Sequence, residues 1–325
     1  MVIVIVNYRT ARLTIESLAA LATEMRSLPG ARVTVVENAS GDDSAARIRA
    51  ALTSEGWDWA SLVEAGRNGG YAFGNNLAIR PCLEAPQPPD FFLLLNPDTR
   101  VEPGAVGALL EFMEGRPEVG IAGSCLLNPD GTSWSTAFRF PSVLSELEAG
   151  FRLGPLTRLL EPWVVPMKMG DEARQVDWVP GASMMIRREV FETVGLMDEQ
   201  YFLYFEETDF CLQARRAGWS CWYVPASRVM HIAGQSTGVT DRDAAPRRRP
   251  QYLFDSRRRY FVKNHGLGYA ALADVAWSVG LASWRLRRRL QGKPDRDPPS
   301  LLVDSVRNSV FFKAPSMPRG SSRQR

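Results

Sequence analysis

Three carboxylates, Glu206, Glu207 and Asp209, fall within four residues directly after the aromatic run Tyr201, Phe202, Leu203, Tyr204 and Phe205. Acidic groups beside an apolar wall are poorly solvated, so one of them can hold its proton more tightly than usual and serve as a general base near neutral pH. A plain helix start, with acidic side chains complementing the dipole, has the same composition. A fourth carboxylate stands far upstream. Phe91 to Leu95 is a short, continuously apolar run, as expected of a strand buried on both faces, and it ends in Asn96-Pro97-Asp98-Thr99. Ligands of open α/β sheets bind beyond the carboxyl ends of strands, which places Asp98 where substrates go. A lone carboxylate there suits magnesium or manganese, which complete their shells with water and phosphate oxygens. An Asn-Pro-Asp turn that merely ends a strand is the competing reading.

The elements that must position these groups follow from periodicity. Val2 to Val6, Val33 to Val36 and Phe91 to Leu95 are β-rich, and Thr14 to Met25 and Gly104 to Gly115 have helical apolar recurrence. Strands alternating with helices predict βαβ units and an α/β fold with a mostly parallel central sheet. Residues 1–100 read as a nucleotide-binding half. Beyond Asn96 the pattern loosens, with proline and glycine around Leu153-Gly154-Pro155 and Glu161-Pro162-Trp163.

The motifs, in order along the chain, are Val6-Asn7-Tyr8, Glu37-Asn38-Ala39-Ser40-Gly41-Asp42, Asn68 to Asn76, Leu95-Asn96-Pro97-Asp98, Trp178-Val179-Pro180-Gly181-Ala182, the acidic stretch, and His231 with Gly234 and Ser236. On these residues the chain resembles the inverting glycosyltransferases of family 2, which have the GT-A fold, and among them the rhamnosyltransferase-type members that build bacterial cell-surface glycans. The resemblance spans about residues 2–240 and implies a GT-A domain over 1–240, with an acceptor half from 101 to 240.

Under that resemblance the nucleotide-sugar site comprises Asn7, Glu37, Asn38, Arg67, Asn68, Gly70, Asn75, Asn76, Asn96 and Asp98. Glu37 stands where relatives usually carry aspartate. The family's base aligns with Glu207, Asp209 is the runner-up and Glu206 positions the acceptor. Many relatives have Asp-x-Asp where this chain has Asn96-Pro97-Asp98, one negative charge fewer. Asp98 and His231 are the implied ligands of a divalent cation, Mn or Mg, and imidazole tilts the choice toward manganese. Trp178 offers a flat surface to a sugar, Gly181 leaves room for donor or acceptor, and Arg215 is a candidate substrate contact. The donor implied is a nucleotide-diphosphate sugar, with dTDP-L-rhamnose first, and the acceptor a hydroxyl of a glycan or polyprenyl-linked glycan.

Composition restricts the alternatives. With 325 residues, 45% hydrophobic and 23% charged, the chain suits a globular domain, and a net charge of +3 gives no reason to expect nucleic acid. A sugar-phosphate nucleotidyltransferase would need a glycine-rich basic loop where Val4-Ile5-Val6-Asn7-Tyr8-Arg9 stands; a catalytically silent scaffold of the same fold is the other rival. Four cysteines without paired spacing indicate neither zinc nor a disulfide framework, and the apolar start lacks the basic region of a signal peptide, so a cytoplasmic location is expected. Residues 241–325 read as a basic helical extension ending in a disordered tail from Pro315. Within it, Gly266 to Trp284 is mostly apolar but broken by Asp274, which disfavours a membrane span; Trp277, Trp284 and Arg285 to Arg289 suit a helix lying on an anionic membrane surface at the inner face of the cell membrane, or one packed on the domain.

Overall fold

The computed structural model describes residues 1–232 and 246–313. Gly234 and Ser236 of the last motif, and the tail from Pro315, lie outside the described residues. In chain order the elements are β1 (Val2–Asn7), α1 (Ala11–Met25), β2 (Arg32–Glu37), α2 (Ser44–Ser54), β3 (Ala60–Glu64), α3 (Gly70–Leu83), β4 (Phe91–Leu95), β5 (Thr99–Val101), α4 (Ala105–Glu114), β6 (Val119–Leu127), α5 (Val143–Phe151), α6 (Gly154–Leu159), β7 (Arg174–Val176), β8 (Ser183–Arg187), α7 (Arg188–Val194), α8 (Glu206–Arg216), β9 (Ser220–His231), α9 (Gln251–His265), α10 (Leu267–Leu290) and α11 (Leu301–Arg307).

All nine strands join one sheet, ordered β3-β2-β1-β4-β8-β6-β9-β5, with β7 on β9. The predicted parallel pairing holds from β3 to β4 and again between β6 and β9. β8 runs antiparallel between β4 and β6, as the loose pattern after Asn96 allows. Successive residues of β1 and β4 feed opposite cores. Val2, Val4, Val6, Phe92 and Leu94 pack with Ala72, Ile79, Phe191 and Phe210 on one face. Ile3, Ile5, Leu93 and Leu95 pack with Leu18, Leu21, Ile48 and Leu109 on the other. A strand covered on both faces must be apolar at every position, which explains the unbroken Phe91–Leu95 run. Helix α4 begins on a buried carboxylate: Glu24 accepts from the backbone N–H of Gly104 at 2.6 Å and of Val106 at 2.9 Å.

The chain forms two units. The sheet unit contains residues 1–140 and 165–232 of those described; the helical unit contains 141–164 together with 246–313. The short helices α5 and α6, around the punctuated stretch, thus group with the C-terminal helices. Inside the helical unit, Trp277 packs with Phe254, Leu281, Leu301 and Trp284, and its indole N–H donates to Ser305 Oγ at 3.1 Å. Both tryptophans are partly buried against this cluster. Burying two large rings against apolar neighbours is worth more than leaving them in water. No described helix is long and apolar enough to cross a membrane.

Candidate active site

The acidic residues stand at the start of α8, and the backbone that presents them is strained. Tyr204 and Phe205 both adopt left-handed φ values, 67° and 69°. Non-glycine residues rarely do so, and such conformations gather where a site demands them. Gly70 explains how the turn is held: its φ is +88°, and a Cβ there would lie 1.9 Å from the carbonyl oxygen of Phe202, which accepts from the Tyr71 N–H at 3.0 Å. The glycine-rich segment therefore serves α8 by letting the N-terminus of α3 approach the 201–205 turn. Arg9 and Ala39, just past β1 and β2, also have positive φ, at the same carboxyl edge of the sheet.

Glu206 is buried and Glu207 partly so. Burial pushes the Glu207 carboxyl up to about 7, against the pull of its own backbone N–H and that of Gly181. Burial, then the neighbouring Glu207, raises Glu206 well above the carboxylate range. Neither has a basic partner among the described residues, and one oxygen of each, Oε2, is without a hydrogen bond. The two titrate as a pair. Asp209 differs: it is buried on the same helix, where Gln213 Nε2 donates to its Oδ1 at 3.3 Å.

The charges of Glu207, Glu206 and, most weakly, Asp98 are felt at one hydroxyl. Tyr71 donates its phenol to the Gly181 carbonyl at 2.7 Å. Burial first, then the charges of Glu207, Glu206 and Asp98, hold that phenol well above its ordinary value. The segment carrying Gly181 ties the elements together, since Gly181 N–H bonds Glu207 and the Ala182 carbonyl accepts from Asn96 N at 3.1 Å. The space above Gly181 is taken by the Tyr71 ring, 2.6 Å from where a Cβ would sit. Tyr71 had no assigned role in the sequence; its place inside the Asn68 to Asn76 segment was the only signal.

Around Asp98 the donor set is small. His231 Nε2 lies 3.3 Å from Asp98 Oδ1 and 3.5 Å from the Asn96 amide, because β5 pairs Thr99 with His231. Trp134 packs on the imidazole at 5.0 Å, while Nδ1 lacks the acceptor that commonly orients a ligating histidine. No three His, Cys, Asp or Glu residues converge among those described. One carboxylate and one imidazole nevertheless fit a cation that takes most of its oxygens from a diphosphate and water.

The nucleotide-side residues divide into two groups. Asn7 is spent on the β1–α1 turn, its Oδ1 accepting from Thr10 N, Thr10 Oγ1 and Thr14 Oγ1 at 3.3, 3.1 and 2.9 Å. Glu37 accepts from Ser40 N at 2.8 Å. Asn76 clamps Met197, donating to its carbonyl at 2.8 Å and accepting from its N–H at 3.1 Å. Asn38 donates to Gly70 O and to Asn68 Oδ1, at 3.0 and 3.2 Å. The buried Oδ1 atoms of Asn38 and Asn75, by contrast, have no donor among the described residues, which leaves two acceptors for a ligand. Arg67 lies over the Phe73 ring at 4.4 Å.

On the acceptor side, Trp178 stacks on Phe138 at 4.3 Å and donates to Arg139 O at 2.9 Å, while Arg215 pairs with Asp177 at 2.6 Å. A cavity of about 820 Å³ lies elsewhere in the sheet unit, lined by Phe112, Arg116, Tyr223 and Arg228, and contains none of the predicted residues. The carboxylates and their orphaned neighbours, rather than that hollow, mark the chemistry.

Known proteins identify the family and the fold. Residues 1–247 match the family described as glycosyltransferase like family 2. An N-acetylglucosaminyl-diphospho-decaprenol L-rhamnosyltransferase of Mycobacterium tuberculosis is 30% identical over 242 residues, covering 70% of this chain and 72% of that protein. Rhamnosyltransferase WbbL of Escherichia coli is 30% identical over 171 residues, 51% of this chain and 62% of its own. Among solved structures, a mannosyltransferase of Pyrobaculum calidifontis in complex with GDP-Man and Mn2+ superposes with a TM-score of 0.57 at 13% identity, covering 97% of this chain and 81% of that one. GalNAc-T7 with UDP, GalNAc and Mn2+ gives 0.58 at 13% identity, over 94% and 54%. The fold is that of the GT-A glycosyltransferases.

Proposed function

Since the chain belongs to the glycosyltransferase like family 2, we propose that it is an inverting, metal-dependent transferase that moves L-rhamnose from dTDP-L-rhamnose to a hydroxyl of a lipid-linked glycan. The observation that carries the reading is the buried Glu206–Glu207 pair, which has no basic partner among the described residues and whose charges, with that of Asp98, are felt at the Tyr71 hydroxyl. Rhamnosyltransferases among the relatives support the donor, and the decaprenol-linked substrate in the name of one of them supports the acceptor class.

Glu207, deprotonated above about pH 7, takes the proton of the acceptor hydroxyl. The freed oxygen attacks the anomeric carbon as the bond from that carbon to the diphosphate oxygen breaks, and the electron pair leaves with the nucleoside diphosphate. One in-line displacement inverts the centre. Glu206, whose proton is held more tightly, stays neutral and hydrogen-bonds the acceptor. Asp98 and His231, with Asn96 offering a neutral oxygen, would hold a divalent cation, which when bound neutralises the leaving diphosphate. The free oxygens of Asn38 and Asn75 accept from donor hydroxyls.

The test is release of dTDP from dTDP-L-rhamnose, with and without a polyprenyl-diphospho-N-acetylglucosamine acceptor and with Mn, Mg or chelator present. Acceptor-dependent, chelator-sensitive release is expected. Equal release from UDP- or GDP-sugars would overturn the donor assignment, and no release from any nucleotide sugar would return the chain to a silent scaffold.

A further inference from the structure

Helix α10 is apolar on two sides. Its inward face carries Ala270, Ala273, Ala276, Gly280 and Leu281 with two paired charges: Asp274 pairs with Arg257 at 2.5 Å and accepts from Val310 N at 2.9 Å, and Arg288 pairs with Asp295. Its outward face carries Leu272, Val275, Val279, Ala282, Leu286 and Leu290, all exposed, Leu290 by 79% and Leu286 by 61%. Those positions recur at three and four residues, so they form one stripe about 27 Å long. An ordinary surface helix is polar on its outward face. The stripe includes no acidic residue. Arg289 lies within it, Arg285 at its border and Lys293 just beyond its end, and Lys and Arg outnumber Asp and Glu roughly two to one across the helical unit.

We infer that this outer face of α10 lies in the headgroup layer of an anionic membrane, with the leucines and valines in the acyl boundary and Arg285 and Arg289 at the phosphates. The charge pattern selects lipid over a second copy of the chain. Pairing two such stripes would bury Arg289 of each against a face with no carboxylate to receive it, whereas anionic headgroups supply the missing partner. The inference is independent of the donor and acceptor chemistry of the sheet unit.

Vesicle co-sedimentation of the full chain tests it, with phosphatidylcholine vesicles and with vesicles also containing phosphatidylglycerol. Binding to the anionic vesicles is expected, falling about tenfold in the double variant Val279→Glu/Leu286→Glu and by a similar factor in Arg285→Gln/Arg289→Gln. Both pairs are on the surface, and unchanged thermal melting with unchanged dTDP release on a water-soluble acceptor would establish that the fold and site persist. Undiminished vesicle binding by either variant would overturn the proposal. So would failure of the wild type to bind anionic vesicles, or a wild-type dimer that Val279→Glu splits.

Discussion

Two regions bury carboxylates, and they treat them in opposite ways. In the helical unit Arg257 lies between Glu146 and Asp274, at 2.8 and 2.5 Å, and the acids are neutralised where they stand. At the start of α8, Glu206 and Glu207 are withdrawn from water with backbone donors but no guanidinium among the described residues, and their proton affinity rises instead. A buried pair with its cation is structure. A buried acid without one is destabilising, and its retention points to chemistry. The contrast also separates Asp209, bonded within its own helix, from its two neighbours.

The largest expected effect breaks the contrast on the catalytic side. Glu207→Gln keeps shape and removes the base, so turnover should drop about 10³-fold, measured as dTDP release, while nucleotide affinity by calorimetry stays within a few-fold. Retained turnover would end the base assignment. The structural side should break differently: Arg257→Met strands two buried carboxylates and should cost about 3–5 kcal/mol of unfolding free energy in urea, against little or no loss for Glu207→Gln. If the two variants lose equal stability, the distinction between the regions is wrong.

Gly70→Ala attacks the support rather than the acids. A methyl group at Gly70 must push away the Phe202 carbonyl and occupy a φ of +88°, which should cost about 1–3 kcal/mol and lower kcat more than it raises KM, because the 201–205 turn aims Glu207. Stability also depends on pH. Glu207 moves from its ordinary 4.5 to about 7 in the folded chain, so between those values the native state holds more proton than the unfolded one. Stability should therefore fall as pH rises through that window, by about 3 kcal/mol, and Glu207→Gln should flatten the fall. Turnover should move the opposite way, rising through about pH 7 as the base ionises, and a pH-independent rate would contradict its role.

Much of this was legible beforehand. The β1, β2 and β4 segments are apolar runs whose burial on both faces demands that composition, and the loop after each strand holds the residues named for the site. Asp98 is marked by the end of a buried strand, and Glu207 and His231 by the resemblance of their motifs to the family's; in the fold His231 Nε2 lies 3.3 Å from Asp98 Oδ1. Less legible were residues whose partners are remote. Asn7 and Asn76 look like ligand contacts in sequence; in the fold the Asn7 amide oxygen holds the β1–α1 turn and the Asn76 amide clamps the backbone of Met197, because buried amides are hydrogen-bonded. Gly181 likewise makes room for a tyrosine of the same chain. Trp277 and Trp284 offered the familiar signature of a membrane interface, but packing claimed the rings and left leucines outside.

Sequence alone determined the strand–helix alternation, the family of motifs and the chemistry available, since these depend on local periodicity and side-chain type. Tertiary structure decided which carboxylates met a cation and which did not, and which side of α10 faced outward. Charge neutralisation and burial depend on groups brought together from more than a hundred residues apart, such as Glu146 and Arg257, and no local pattern records that meeting.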